Sequence, residues 1–244
     1  MSTYLKSALR FHARAVFVDF GGTLIFNRQQ TSNGEDYDRL LITLADILAK
    51  QKSLKTLEAR RRVLEVAENL PRTLNEFADR LGIIIDNAEA TGSLNGYIQW
   101  LSSVYQTDPD AASCLRQFRK QGLKLWPATT HSGLLCAMKL EAVGLGGEPF
   151  FEELSGGKEV HPMGKMTRGF YTRLLEKANV APEEVVHIGE SHIWDRDLPM
   201  NAGIRQIILL DPRLQERYLQ GENGELYVKG WSVIRHLIAP VDQA

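Results

Sequence analysis

Ala15-Val16-Phe17-Val18-Asp19-Phe20-Gly21-Gly22-Thr23-Leu24 is the stretch whose reading decides the fold. Four apolar residues run into an aspartate, and a glycine pair follows almost at once. An apolar run closed by glycines reads as a buried strand that stops in a tight turn. Residues 13–20 are therefore expected to form the first strand, with Asp19 at its C-terminal end. Open α/β sheets gather their ligand crevices at that end of their strands. The glycines allow backbone N–H groups to approach an anion. A carboxylate there can be a nucleophile, a metal ligand or an ordinary turn residue. This stretch alone does not separate those readings.

Outward from it, Leu123–Ala128, Val185–Gly189 and Arg205–Leu210 also read as strands, and Phe150–Leu154 as a short one. Pro127 lacks a ladder donor, so it belongs at the end of its strand, where pairing finishes. Asp108-Pro109-Asp110 offers a cap and a first-turn proline for a helix through Ala111–Gln121, which stops at Gly122. Residues 133–143 and Thr167–Asn179 show helical spacing. Strands alternating with helices imply right-handed βαβ units and a parallel sheet.

From about residue 34 to 107 the texture changes. Leu40, Leu41, Leu44, Ile47 and Leu48 recur at helical spacing, followed by further helical runs with no clear strand between them. The block is long for a single crossover. The expected fold class is thus α/β, a Rossmann-like parallel sheet core with an inserted helical cap subdomain. The core is expected to span residues 1–26 and 108–244, and the cap residues 27–107.

The bulk composition narrows the partners. The 244 residues carry a formal net charge of −1, with 43% hydrophobic and 24% charged residues. That balance gives no electrostatic reason to expect nucleic acid or an anionic membrane. No apolar run is long enough to cross a bilayer. Met1–Arg14 contains Lys6, Arg10 and Arg14 but no apolar stretch of the secretory kind. Cys114 and Cys136 lack a CxxC spacing, so buried thiols in a reducing cytoplasm are expected.

Four polar clusters follow the expected strands: Asp19 with its glycine loop, Thr129-Thr130, Lys165, and Gly189-Glu190-Ser191-His192-Ile193-Trp194-Asp195. Each has a task in phosphoryl-type transfer through an aspartate. The substrate and the carboxylate repel each other, so a cation must sit between them. Mg²⁺ suits this, with Asp19, the Gly21 carbonyl, and Glu190 or Asp195 as protein ligands. Thr129, with backbone N–H groups of the Gly22-Thr23 turn and Thr130, is placed to hold substrate oxygens. Lys165 neutralises charge at the nucleophile.

This order of elements resembles the haloacid dehalogenase superfamily from about residue 13 to 210. Asp19, Gly22, Thr23 and Leu24 match its first motif, usually Asp-x-Asp-Gly-Thr-Leu. Thr129 aligns with the second motif, and Lys165 with the lysine of the third. Glu190 and Asp195 align with the acidic pair of the fourth. The resemblance implies a hydrolase with an aspartate nucleophile, Mg²⁺ and a small anionic, most often phosphorylated, substrate. It also implies that the helical insert is a C1-type cap.

The chain departs from the pattern in ways that bear on chemistry. Gly21 stands where most phosphatases of the family carry a second aspartate, their general acid and base. Thr130 replaces a frequent asparagine, and Glu190 replaces aspartate. Lys158 rivals Lys165 for the lysine role, because the usual Lys-Pro pair is missing. His131 and His192 lie beside the motifs as substitute proton carriers, and Trp194-Asp195 resembles the Trp-Asp pair of haloacid dehalogenases. Lys50, Lys52, Lys55 and Arg60-Arg61-Arg62 in the insert read as solvated charge. Three functions fit: a phosphohydrolase without the usual acid, a hydrolase of a carbon–halogen or carbon–phosphorus bond, or a binding module on an enzyme fold.

Overall fold

The computed structural model describes residues 11–28 and 34–241. Met1–Arg10, which carries part of the basic N-terminal segment, lies outside the described residues. The chain divides into two compact units, one of residues 1–26, 107–130 and 149–244, the other of residues 27–106 and 131–148.

The first unit begins with β1 (Phe11–Ala13) and β2 (Ala15–Val18), and leaves through β3 (Ile25–Asn27). The helical unit that follows holds α1 (Glu35–Lys52), α2 (Thr56–Ala67), α3 (Leu74–Leu81) and α4 (Ala88–Val104). The chain returns through β4 (Tyr105–Thr107) to α5 (Pro109–Lys120) and β5 (Lys124–Pro127). Next comes α6 (Gly133–Ala142) of the helical unit, then α7 (Arg168–Ala178) and β6 (Val185–Gly189) of the first unit. The remaining elements are α8 (Leu198–Asn201), β7 (Gln206–Leu210), β8 (Tyr218–Gln220), β9 (Leu226–Val228), α9 (Trp231–Ile234) and β10 (Ile238–Pro240).

One six-stranded sheet organises the first unit, in the order β5-β2-β6-β7-β9-β8. All its neighbours run parallel except the β8–β9 pair. A parallel strand covered on both faces must be apolar throughout, and β2 and β6 are buried at every position. Phe17, Trp126, Phe170, Tyr171, Leu174 and Ile207 share one core cluster with α7. Pro127 ends β5, an edge strand, opposite Val18. The missing donor therefore falls where the ladder stops, as its chemistry requires.

Local signals place the helix ends. Asp108 caps α5 by accepting from the Asp110 amide at 2.8 Å, with Pro109 in the first turn. Gly122 adopts φ +81° after it. Asn179 closes α7 in the left-handed region.

Two expectations differ from what is found. Phe150–Leu154 forms no strand: Phe150 and Phe151 are buried in irregular backbone, and Phe151 packs against Phe20 with ring centroids 5.5 Å apart. An aromatic pair anchoring a loop gives the same short apolar run as a strand. In addition, residues 131–148 group with the helices rather than with the core. Within the helical unit α6 packs on α4, and Lys139 forms a buried 2.5 Å ion pair with Asp36 of α1. Ser102 Oγ also donates to the Ala142 carbonyl at 2.7 Å. None of the helices among the described residues is long and apolar enough to cross a membrane.

Candidate active site

Three adjacent strands, β5, β2 and β6, deliver Thr129, Asp19 and Glu190 to the same end of the sheet. Asp19 directly follows β2, and its amide still donates to the Ile188 carbonyl of β6 at 2.9 Å. The glycine turn then folds back on itself. Gly22 takes φ +73° and donates its amide to the Ile25 carbonyl at 3.0 Å. The Leu24 and Ile25 amides donate to the Phe20 carbonyl. The Gly22 amide is thus engaged within the turn, so it shapes the loop instead of being open toward an anion. Thr23 is buried; its hydroxyl donates to Asp19 Oδ2 at 3.2 Å, and its carbonyl accepts from the Trp231 indole at 2.9 Å.

Lys165 lies in a short 3₁₀ turn, Gly164–Met166, ahead of α7. It is one of the largest fully buried side chains of the protein. Its Nζ stands 2.6 Å from Asp19 Oδ1 and 2.6 Å from Asp195 Oδ1. Lys158, the rival lysine, is exposed. The site is thus a buried carboxylate–ammonium–carboxylate bridge, with Lys165 as the shared cation.

The two carboxylates are not equivalent. Asp195 Oδ1 also faces His187 Nε2 at 2.9 Å, and Oδ2 accepts the Glu190 and Ser191 amides at 3.2 and 3.0 Å. Burial opposes its charge, but Lys165 and His187 outweigh burial and hold it well below the ordinary carboxylate range. Asp19 has fewer compensating donors. Burial raises its pKa, Lys165 pulls it down, Asp195 pushes it up, and it settles at about 7. Burial would also discharge Lys165, but the two carboxylates hold its pKa above the ordinary value.

This arrangement bears on the expected metal set of Asp19, the Gly21 carbonyl, Glu190 and Asp195. Both Asp195 oxygens are engaged by an ammonium, an imidazole and two amides. Among the described residues, no group of three or more His, Cys, Asp or Glu side chains is placed to hold a metal. Asp19, the Gly21 carbonyl and Glu190 are the other expected donors. Glu190 is solvent-accessible, and its carboxylate lies against the glycine turn. A Cβ on Gly22 would stand 2.9 Å from Glu190 Cγ and 3.3 Å from Oε1. Gly22 therefore makes room for this carboxylate beside the Asp19 loop. Mg²⁺ is commonly held by one or two carboxylates with several waters, and these three donors fit that demand.

The other expected residues have definite places. Thr129 is buried, and its carbonyl accepts from the Gly157 amide at 2.7 Å. Thr130 is exposed. His131 belongs to the helical unit, with Nε2 3.0 Å from Lys139 Nζ. His192 contacts Arg196 and Tyr227. Gly21 borders open space, with nothing within 4 Å of a Cβ built there.

Two buried residues of the site escape the sequence reading: His187 in β6 and Tyr171 in α7. Asp195 is ionised and can only accept, so His187 Nε2 carries the proton between them. Burial keeps the imidazole pKa below its ordinary value. The Tyr171 hydroxyl donates to the Trp194 carbonyl at 2.6 Å, and its ring meets His187 edge-on at 5.3 Å. For His187 the signal available was a histidine inside an otherwise apolar five-residue strand, because a buried polar group needs a partner.

The Asp19 shift has a consequence for stability. Its pKa lies at about 7 in the folded protein against 3.8 ordinarily. The native state then holds the extra proton between these values, so stability declines as pH rises through that window. Asp19→Asn removes the titration. In metal-free urea unfolding, the variant is expected to gain on wild type between pH 5 and pH 8. A difference that is flat across that range would show that Asp19 is not shifted upward.

Comparison with known structures supports the fold. The fold matches a β-phosphoglucomutase-type protein from Thermotoga maritima at 22% identity, covering 91% of this chain and 96% of that one, with a TM-score of 0.52. A dehalogenase with an intermediate complex matches at 16% identity, over 95% and 99% of the chains, with a TM-score of 0.55. A HAD hydrolase from Bacillus subtilis bound to magnesium matches at 16% identity, over 92% and 98%, with a TM-score of 0.52. None of the curated proteins matches the sequence. The family model for haloacid dehalogenase-like hydrolases matches residues 13–196, and the chain belongs to that family.

Proposed function

We propose that Asp19 is the nucleophile of a hydrolase acting on a small phosphorylated metabolite, with Mg²⁺ held by Asp19, the Gly21 carbonyl and Glu190. The observation that supports this is the buried Lys165 ammonium, 2.6 Å from Asp19 and from Asp195. It holds Asp19 Oδ1 while Thr23 holds Oδ2, so the carboxylate is fixed from both sides. An oxygen of Asp19 attacks phosphorus, the bond to the leaving oxygen breaks, and that oxygen departs with the bonding pair. Water then attacks phosphorus, which frees the Asp19 carboxylate and inorganic phosphate. Mg²⁺, when bound, would offset the repulsion between two anions and charge developing on the phosphoryl oxygens. We place the reaction in the cytoplasm, in keeping with the buried free thiols of Cys114 and Cys136.

Gly21 restricts the leaving group. A carboxylate at that position would protonate the departing oxygen, help worth about 10²–10⁴-fold. Without it, the favoured substrates lose an oxygen that is stable as an anion, as acyl and aryl phosphates do. The same observation favours a second reading, displacement of halide from carbon, since halide also leaves without a proton.

Turnover of acyl, aryl and alkyl phosphates and of a 2-haloacid, with Mg²⁺ and with chelator, tests the assignment. Acyl and aryl phosphates should be cleaved with Mg²⁺, and alkyl phosphates at least about 10²-fold more slowly. Halide release in chelator would move the assignment to the second reading, and no turnover at all would leave a binding module. Calorimetry should show Glu190→Gln binding Mg²⁺ about 10-fold more weakly, while Asp195→Asn keeps it within a few-fold of wild type. Equal losses in both variants would return Asp195 to the metal.

A further inference from the structure

Behind the bridge lies a layer of side chains that the reaction itself does not require. His187 and Tyr171 are fully buried. Neither touches Asp19, and both act on the segment that carries Asp195. His187 Nε2 donates to Asp195 Oδ1 at 2.9 Å, the same oxygen that meets Lys165 at 2.6 Å. Tyr171 pins the Trp194 carbonyl, one residue before Asp195, at 2.6 Å. The chain there is a π-helical turn, His192–Asp197, a geometry that is rare and recurs at functional sites. Gly189 completes the seat: a Cβ on it would stand 2.2 Å from both Cβ and Cγ of Asp195.

We infer that His187 and Tyr171 are positioning residues for the reaction, fixing Asp195 so that its carboxylate holds the Lys165 ammonium against Asp19. The inference rests on the reading of Asp19 as nucleophile. The physical reason lies in the single ammonium between two carboxylates. If Asp195 swings, Lys165 follows it or is released, and the cation that orients Asp19 Oδ1 moves by a fraction of an ångström. Misplacement on that scale costs catalysis far more than binding, because orientation of the attacking atom matters only as the bond forms. His187 supplies a directed N–H to Asp195 Oδ1. The Glu190 and Ser191 amides hold Oδ2, so removing the imidazole frees only the oxygen that meets Lys165. Tyr171 acts on the backbone of the same turn, and its ring edge also keeps the His187 plane in place.

The test uses the full chain with an aryl phosphate and Mg²⁺, comparing wild type, Asp19→Asn, His187→Gln, His187→Leu and Tyr171→Phe. His187→Leu should lower kcat about 10-fold with KM within about two-fold, a size typical of residues that orient a reacting group's partner. His187→Gln, which keeps an N–H donor at similar reach, should recover most of the loss. Tyr171→Phe, which leaves the packing intact, should lower kcat several-fold. A second measurement does not depend on turnover: the side-chain ammonium NMR signal of Lys165, protected from exchange in wild type, should broaden or vanish in His187→Leu and persist in His187→Gln. If His187→Leu folds with unchanged kcat and an unchanged Lys165 signal, the positioning role is overturned. If His187→Gln is as impaired as His187→Leu, the imidazole is only filling space, and the role is also overturned. If Asp19→Asn retains wild-type turnover, the nucleophile reading fails instead, and the Lys165 signal alone then decides whether His187 holds the bridge.

Discussion

Asp19→Asn is expected to reduce phosphate-ester turnover at least about 10³-fold, the scale on which single members of a catalytic set act. An amide nitrogen has no lone pair free to attack phosphorus, and the amide oxygen is a far weaker nucleophile than a carboxylate. The structural cost of the change is small. Asparagine has the same shape, its oxygen can still accept from Lys165, and Thr23 remains beside it. Loss of activity with an intact fold therefore isolates the chemistry of the carboxylate. Steady-state rates measured beside the unfolding midpoint give the answer. Residual turnover above about one part in ten, with the fold intact, would assign the attack to another group.

Lys139→Met should destabilise the helical unit by about 3–5 kcal/mol, the cost of breaking a buried ion pair by removing one partner. Lys139 and Asp36 are 3% and 5% exposed, with Nζ 2.5 Å from Oδ2. Asp36 Oδ2 also accepts from the Tyr105 hydroxyl at 3.0 Å, and the Lys139 ammonium lies 4.3 Å from the Tyr105 ring centre. Burial works against the Asp36 charge, and Lys139 is the first of the interactions that keep it ionised. Methionine fills the volume but takes away the ammonium, leaving the carboxylate with the Tyr105 hydroxyl and the Tyr37 amide. The double variant Asp36→Leu/Lys139→Met removes both charges and should recover part of the loss. Chemical unfolding measures both. A cost below about 1 kcal/mol for Lys139→Met would place this pair among the weak, solvated ones.

The sheet and the place of Asp19 at the end of its strand were legible because a buried parallel strand leaves strong traces. Ala15–Val18 and Val185–Gly189 are apolar runs closed by glycine or acid, and both became central strands. Lys165 was legible only through the order of the motifs, since nothing in its neighbours tells a buried lysine from a solvated one. Chains as short as Phe11–Ala13 and Ile238–Pro240 pair in parallel without enough length for a periodic signal. The place of α6 was also hidden: Leu134, Leu135, Cys136, Met138 and Leu140 are all buried, and a helix apolar on most sides does not reveal which layer covers it. Asp195 shows the limit most clearly. The sequence identifies an acid near the site, and its role depends on four donors contributed by Lys165, His187, Glu190 and Ser191, which only the fold assembles.

The central claim is that Asp19 carries the transferred group. Incubation with Mg²⁺ and an acyl or aryl phosphate, followed by acid quench and mass analysis of the peptides, addresses it directly. The account predicts that the peptide containing Asp19 gains the mass of one phosphoryl group in wild type and does not in Asp19→Asn. Turnover that continues with the Asp19 peptide unmodified at every quench time, or with the phosphoryl group on another residue, would contradict it.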